Sequence, residues 1–565
     1  MNKIYSIKWN ASRHCWSVCS ELSMRNTKKY ICKTLSCIAL LMSVQVFADD
    51  VMIDKSASID FVGANQSLNN RVDITNGSIL DINVPMNASA WLTIGSGDGI
   101  TISDGIVRIN GQLGLILKGT GYLNISGAGS QLFSDSLLNI SPVSTETGGF
   151  FNVSNGGKVN VKGRINLDYE QGVVSGVGSQ VNSQEFYIGN TDYSRGNMSL
   201  LVDDGGEINA NKKIALGYYN QDSTSALVIA NKGKITTPII SLSTNSELAL
   251  GGREGDAPQS AGIINAKKIN FVWAATANKK ITLNHTDSNA VISADISSGS
   301  AGLGNINALN GTTWLTGNNS AFSGGVNIYN GAAIGITQNL GTAGIANNGL
   351  LQLNASNNDI ALVSNIYGRG QISANNGTVS LSGNNTAFHG TLNVESNAKV
   401  AIGAQQNLGD ATIANDGTLS ITGQGNWTFS NTMTGLGLLD VNTGNNTFSF
   451  QNATNTAGFR GTLMLSDTSF DLNGDNTAAL TSSLLRAGSG SMVTVGAGTQ
   501  NIDGLGFNGG TVDFGKIAPG KKQSNNMVHV SSLDLQGGGA VQVYASGDVI
   551  ADTVSRDVNT SLSLL

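Results

Sequence analysis

Beyond Cys37 the chain contains no cysteine: Cys15, Cys19, Cys32 and Cys37 are the four thiols of its 565 residues. Proline is nearly as scarce at 5 residues, charged side chains make up 12% and aromatic ones 6%. Without thiols, no disulfide framework can hold the long remainder together. Five prolines exclude a collagen-like or polyproline chain. The charge content is about half the usual quarter, so self-repulsion does not hold the chain open, and 40% hydrophobic residues give it material to bury. In place of what is missing stand 72 Gly and 65 Asn. That balance predicts a long, turn-rich, all-β chain.

All four cysteines fall in a segment that reads as an export signal. Arg25, Lys28, Lys29 and Lys33 precede an apolar run from Leu35 to Val44, and Val46-Phe47-Ala48 then leads into Asp49-Asp50. The run is about half the roughly 20 residues that cross a bilayer. A small-x-small site after a basic and an apolar region predicts cleavage between Ala48 and Asp49. The signal holds seven of the 32 Lys and Arg and one of the 38 Asp and Glu, so the mature chain has 25 positive and 37 negative residues and a net charge of −12. With no run of Lys and Arg along it, an acidic body predicts no footprint for nucleic acid or an anionic membrane.

Internal repeats set the architecture. Gly302-Leu-Gly-Asn-Ile306 recurs as Gly368-Arg-Gly-Gln-Ile372 and Gly435-Leu-Gly-Leu-Leu439, at spacings of 66 and 67. A second signature follows in each unit: Leu315-Thr-Gly-Asn-Asn-Ser-Ala-Phe322-Ser-Gly324, Leu381-Ser-Gly-Asn-Asn-Thr-Ala-Phe388-His-Gly390, and a looser version from Phe450 to Gly461. Upstream, Ser126-Gly-Ala-Gly-Ser130 returns as Ser175-Gly-Val-Gly-Ser179, and Asn155-Gly-Gly157 as Asp204-Gly-Gly206, both at an interval of 49. If one solenoid coil takes about 22 to 27 residues, 49 is two coils and 66 is three.

Short runs such as Tyr122-Leu-Asn-Ile125, Phe151-Asn-Val-Ser154 and Val159-Asn-Val-Lys162 alternate apolar with polar residues, as half-buried strands do. Asn-Gly pairs at Asn76, Asn110, Asn155, Asn310, Asn330, Asn348, Asn376, Asn473 and Asn508 separate such runs with residues that accept positive φ. The pattern predicts a right-handed parallel β-helix, a solenoid in which Asn stacks in ladders and aliphatic residues fill a narrow interior.

The first 48 residues, with their Asn2-Lys-Ile-Tyr5 opening, the Trp9 to Arg13 stretch and Ser20-Glu-Leu22, closely resemble the extended signal peptide region of type V secretion. The repeats resemble the passenger-associated transport repeats of autotransporter adhesins, and Gly506-Phe-Asn-Gly-Gly-Thr-Val-Asp-Phe514 with Leu533-Asp-Leu-Gln-Gly-Gly-Gly539 looks like the end of such a passenger. The resemblance implies export through the inner membrane and periplasm of a Gram-negative cell to its surface, and adhesion to a host receptor, to matrix or to copies of itself. It also implies an outer-membrane β-barrel translocator, whose ten-residue alternating strands are not found before Leu565. The expected organisation is a cleaved signal at 1–48, coils with 49-residue repeats at 49–300, coils with 66–67-residue repeats at 301–500, and a passenger end at 501–565.

Candidate chemistry is sparse. After the signal, the histidines are His285, His389 and His529, each in a different repeat context. The Gly-Asp-Ser-Gly motif of protease passengers and the Gly-Asp-Ser-Leu motif of esterase passengers are absent. Asp471-Leu-Asn-Gly-Asp475 opens like a calcium loop, but Asn476 replaces the required Gly and Ser482 occupies position twelve, which favours an ordinary turn. Tyr187, Tyr193, Tyr218 and Tyr219 are read as packed corner residues before sugar platforms. The expectation is therefore a non-enzymatic adhesin, autoaggregation or biofilm factor with no catalytic, cofactor or metal residues. Two alternatives stand beside it: a glycan-processing β-helix with paired carboxylates, and an incomplete passenger, which the DNA downstream of residue 565 would reveal.

Overall fold

The computed structural model describes residues 50–544 apart from 55, 61–65, 69–70, 85–88, 141–148, 169–170, 190–196, 218–223, 273–277, 300–303 and 517–524, together with the backbone of Tyr5–Asn10, Cys15–Ser20 and Lys29–Tyr30. The predicted cleavage residues Ala48 and Asp49 lie outside the described residues. Almost every pairing after residue 50 is parallel, and the chain forms a parallel β-helix divided into two compact units. Unit 1 comprises Met1–Asp287 with Ser298–Gly304, and unit 2 comprises Ser288–Ser297 with Asn305–Leu565.

In unit 1, one sheet stacks the strands Val51–Ile53, Val72–Thr75, Gly99–Ser103, Tyr122–Ser126, Phe150–Ser154, Gln171–Ser175, Asn197–Asp203, Thr224–Ile229, Ser246–Gly251 and Lys279–Asn284 in order. At about 4.8 Å per strand, these ten span roughly 40 Å. Registered pairing puts like residues on like: Ile74, Ile102, Ile125, Val153, Val174, Val202, Ile229, Leu250 and Leu283 form one buried aliphatic column. Interdigitation is close. Gly172 lies between Phe151 and Leu200, and a Cβ there would crowd the Leu200 side chain. Along a second sheet Lys158 pairs with Gln180 and Gln180 with Glu207, so coils of 22 and 27 residues make up the 49-residue interval.

The corner after the first sheet alternates between two turns. Asn155-Gly156 and Asp204-Gly205 place both residues at positive φ (52° and 87°; 48° and 83°), the two-residue conformation Asn-Gly and Asp-Gly adopt most easily. The intervening coils use Ser-Gly-x-Gly-Ser instead. There Ser179 Oγ donates to the Ser175 carbonyl at 2.7 Å and accepts from the Gly156 N–H of the preceding coil at 3.0 Å, so one hydroxyl ties two coils. Asn160, Asn182 and Asn209 form the expected ladder, each amide bonding the next at 2.9 Å. This ladder lies on the half-exposed outer face; the interior is aliphatic.

Unit 2 has shorter coils between Ile306 and Met433, of 19 to 21 residues, and this changes the meaning of the repeat there. Ile306 pairs with Val326, Val326 with Ile345 and Ile345 with Ile366, so three coils bring the chain to Ile366, six residues short of Ile372. From Ile372 the stack runs through Leu392 and Ile413 to Met433, again six short of Leu439. The 66–67-residue repeat is thus three coils of about twenty residues plus one face, not three whole coils. Each copy of the motif sits one face further around unit 2 than the last. Bent strands such as Gln371–Leu381 and Leu438–Phe450 make this possible by turning from one face to the next without a break.

The signature residues join coils. Asn319 and Asn385 are almost fully buried, and their Oδ1 atoms accept the N–H of Ile296 at 2.8 Å and of Ile366 at 2.7 Å on the preceding coil. Phe429, Phe448, Phe450 and Phe470 fill the later coils, with ring centroids 5.2–6.5 Å apart.

Candidate functional site

Two polar constellations in unit 1 stand out from its aliphatic interior. In the first, the chain leaves Ser246–Gly251 and folds residues 252–262 back over the next coil before re-entering the stack at Ile263–Phe271. Glu247, 5% exposed, accepts Thr282 Oγ1 at 2.7 Å and Arg253 Nε at 2.9 Å, with Lys280 Nζ at 3.6 Å. Lys280 also holds Glu254 at 2.7 Å. Asn284 Nδ2 donates to the carbonyls of Arg253 and Asp256 at 2.9 and 3.0 Å, and Asp287 Oδ2 accepts the Ala261 N–H at 2.6 Å. Burial alone would raise the Glu247 pKa, but the hydrogen bonds from Thr282 and Arg253 and the charges of Lys280 and Arg253 more than offset it and hold the carboxyl below its usual range. Burial pushes His285 below the ordinary imidazole value, in spite of the nearby Asp287.

The second constellation lies at a bend. Gln180–Ile188, Glu207–Leu216, Lys234–Leu242 and Ile263–Phe271 each continue from the column of Lys158–Val161 into that of Arg164–Leu167, and the pairing of the first three shifts register at the bend, between Ser183 and Glu185 and between Asn209 and Ile214. Four residues, 210–213, face three, 237–239, so the strand carries a bulge that turns Lys212 outward. Following the register, Arg164 pairs with Glu185, Glu185 with Lys213, and Ile239 with Lys268. Lys162, Arg164, Lys212, Lys213, Lys267 and Lys268 therefore share one ridge with two carboxylates, Asp135 and Glu185. Lys162 bonds Asp135 at 2.7 Å and Arg164 bonds Glu185 at 3.2 Å, while Arg164 and Lys213 lie 4.5 and 4.9 Å from the Tyr187 ring centre. The sequence shows no cationic run because these residues come from different coils. Stacking creates the cluster that reading along the chain did not find.

The other sequence candidates stay apart. His285 is buried in unit 1; in unit 2, His389 Nδ1 lies 3.1 Å from Asp410 Oδ2, and His529 is exposed on the later strand Asn526–Asp534. Asp471 to Asp475 leads into the short helix Gly474–Ala478, with Asn476 Nδ2 donating to the Asp471 carbonyl at 2.7 Å. Among the described residues no group of three or more His, Cys, Asp or Glu is placed to hold a metal ion. Tyr187 is packed, 4% exposed, whereas Tyr193, Tyr218 and Tyr219 lie outside the described residues.

Residues 1–45 match the extended signal peptide of the type V secretion system. A stretch of 205 residues is 48% identical to the uncharacterized protein YuaQ of Escherichia coli (strain K12), covering 36% of this chain and 15% of that protein. Another match, 36% identical over 155 residues, is to the uncharacterized lipoprotein YdeK of the same strain, covering 25% of this chain and 12% of the relative. The chain thus spans a small part of the length of these relatives. Signal and coils define an exported parallel β-solenoid. More particularly, the protein has the signal and architecture of an autotransporter passenger; it is exported through the periplasm, and a signal of this type goes with an outer-membrane translocator.

Proposed function

We propose that the protein is a non-enzymatic passenger that acts at the cell surface or in secreted form as an adhesin, promoting cell-to-cell aggregation or attachment in a biofilm. The observation that carries this reading is a type V export signal ahead of stacked coils whose outer faces present polar ladders such as Asn160–Asn182–Asn209. Repeated weak contacts along such faces sum to strong avidity when many copies are displayed. Glu247 itself does not suit the part of a general acid, which needs a raised pKa, because it is held ionised between Arg253 and Lys280. The test joins this passenger to a translocating barrel, displays it on cells, and compares settling and attachment with cells displaying the barrel alone. Faster settling or denser attachment, with no product released from a glycan panel by the purified passenger, is the expected result; identical cells and a cleaved glycan would reverse the reading in favour of an enzyme.

A further inference from the structure

We propose that the cationic ridge of unit 1 binds a linear anionic polysaccharide whose carboxylates recur on alternate sugars. This deepens the adhesin reading and, as a statement about cell attachment, rests on it.

The spacing of charge along the ridge carries the inference. Arg164 stacks on Glu185 and Glu185 on Lys213, so the first and second cationic rows are two coils apart; Lys268 stacks on Ile239, one coil beyond Lys213, and makes the third row two coils further on. At about 4.8 Å per coil, cations recur roughly every 10 Å. The coils between contribute Glu185, already bonded to Arg164, and the uncharged Pro238 and Ile239. A strand column with paired cations on every second coil matches a polymer that carries one charge per disaccharide. Duplex DNA carries a charge about every 1.7 Å of its axis, far denser than this array.

The cations are also available. Lys212, Lys267 and Lys268 are exposed, and among the described residues none has an ion-pair partner. Arg164 and Lys213 are held in place through the Tyr187 ring, which limits the side-chain freedom that binding would otherwise have to remove. The remainder of the molecule favours selectivity for this place. A mature chain with net charge −12 repels polyanions elsewhere, so attraction is confined to where cations outnumber carboxylates.

The experiment measures binding of the purified mature chain to immobilised hyaluronan, which has one carboxylate per disaccharide, from about 0.02 to 0.15 M salt. The triple variant K212Q/K267Q/K268Q is compared with K118Q/K399Q/R460Q, which removes the same charge from exposed positions off the ridge; circular dichroism confirms that both fold alike. The expected result is binding by the parent chain and the off-ridge variant, a loss of about tenfold or more in the ridge variant, and a slope of log affinity against log salt shallower by about two. Equal binding by the two variants, or tighter binding of duplex DNA than of hyaluronan by the parent chain, overturns the proposal. The two readings separate cleanly. Hyaluronan binding by a chain that, once displayed, attaches nothing overturns adhesion and leaves the ridge; attachment unchanged in the ridge variant, with no hyaluronan bound by the parent, overturns the ridge and leaves adhesion.

Discussion

At Gly390 an added Cβ would collide with the carbonyl oxygen of Gly370 on the preceding coil and press on the Phe388 ring; at Gly461 it would meet the carbonyl of Gly437 and the ring of Phe459 in the same way. The glycine of Gly-x-Gly and the glycine of Phe-x-Gly are therefore two halves of one contact, made between consecutive coils. The same carbonyls accept the next strands, from Thr391 N–H and Thr462 N–H at 3.0 Å each, so neither coil can move away without losing its ladder. Gly390→Ala should destabilise unit 2 by about 1–3 kcal/mol, the usual cost of overpacking a site that cannot yield. Gly344 is the control: it pairs with Gly325 in the same unit, has nothing within 4 Å of an added Cβ, and lacks positive φ. Gly344→Ala should leave stability unchanged. Denaturant midpoints of the two variants decide it, and equal shifts would refute the contact as the reason for the motif.

The folded-back segment 252–262 is held by ionisable groups: Arg253 bonds Glu247, Glu254 bonds Lys280, and Asp287 accepts the Ala261 N–H. Glu247 has a folded pKa below the ordinary 4.5, so the stability it contributes is full above that value and is lost as pH falls through the folded pKa. His285, buried and neutral, has a folded pKa below 6.5; the unfolded segment takes up its proton first, so stability also declines as pH falls below about 6.5. Both act in the same direction. Hydrogen exchange should show the Gly252 and Ala261 amides losing protection as the pH drops from 7 towards 4, while Leu227 and Leu248 in the adjoining sheet keep theirs. Uniform loss across unit 1 would contradict local opening. This segment was not legible in the sequence, because the contacts that hold it, such as Glu254 with Lys280, join residues an entire coil apart. The strands were legible, since alternation and corners such as Asn155-Gly156 are local signals, but Asn310-Gly311 and Asn376-Gly377 do not separate strands: they fall within the bent strands Asn305–Leu315 and Gln371–Leu381, where the glycine takes the positive φ of the bend. The 49-residue repeat gave two coils correctly, with Lys158, Gln180 and Glu207 in register. The 66-residue repeat misled, because a repeat length fixes the coil count only when coil length is known, and here about twenty residues per coil leave one face over. Cations on the ridge escaped notice for a related reason: Arg164 and Lys213 become neighbours only through Glu185.

For the molecule as a whole, that one-face advance changes how copies could meet. Within unit 2 the repeated motifs wind around the coils and form no single stripe, so self-association of the kind proposed would draw on groups common to all faces: hydroxyls and Asn side chains. These contacts are short-ranged, and against them stands the long-range repulsion of two acidic chains, with a net charge of −6 each over the full sequence and −12 each once the predicted signal is removed. Salt discriminates between the two. Raising ionic strength from about 0.01 to 0.15 M shortens the Debye length from roughly 30 to 8 Å, which screens repulsion between approaching copies and leaves hydrogen bonds made at contact almost unchanged. Aggregation of cells displaying the passenger should therefore rise across that range, whereas attachment to hyaluronan through the ridge should fall, since that contact is an attraction between unlike charges. Settling and hyaluronan attachment measured on the same cells, beside cells displaying the barrel alone, give the two slopes. Opposite signs are expected; settling that weakens with salt would mean that copies meet through charge pairing, and the account of polar, short-range self-association would be wrong.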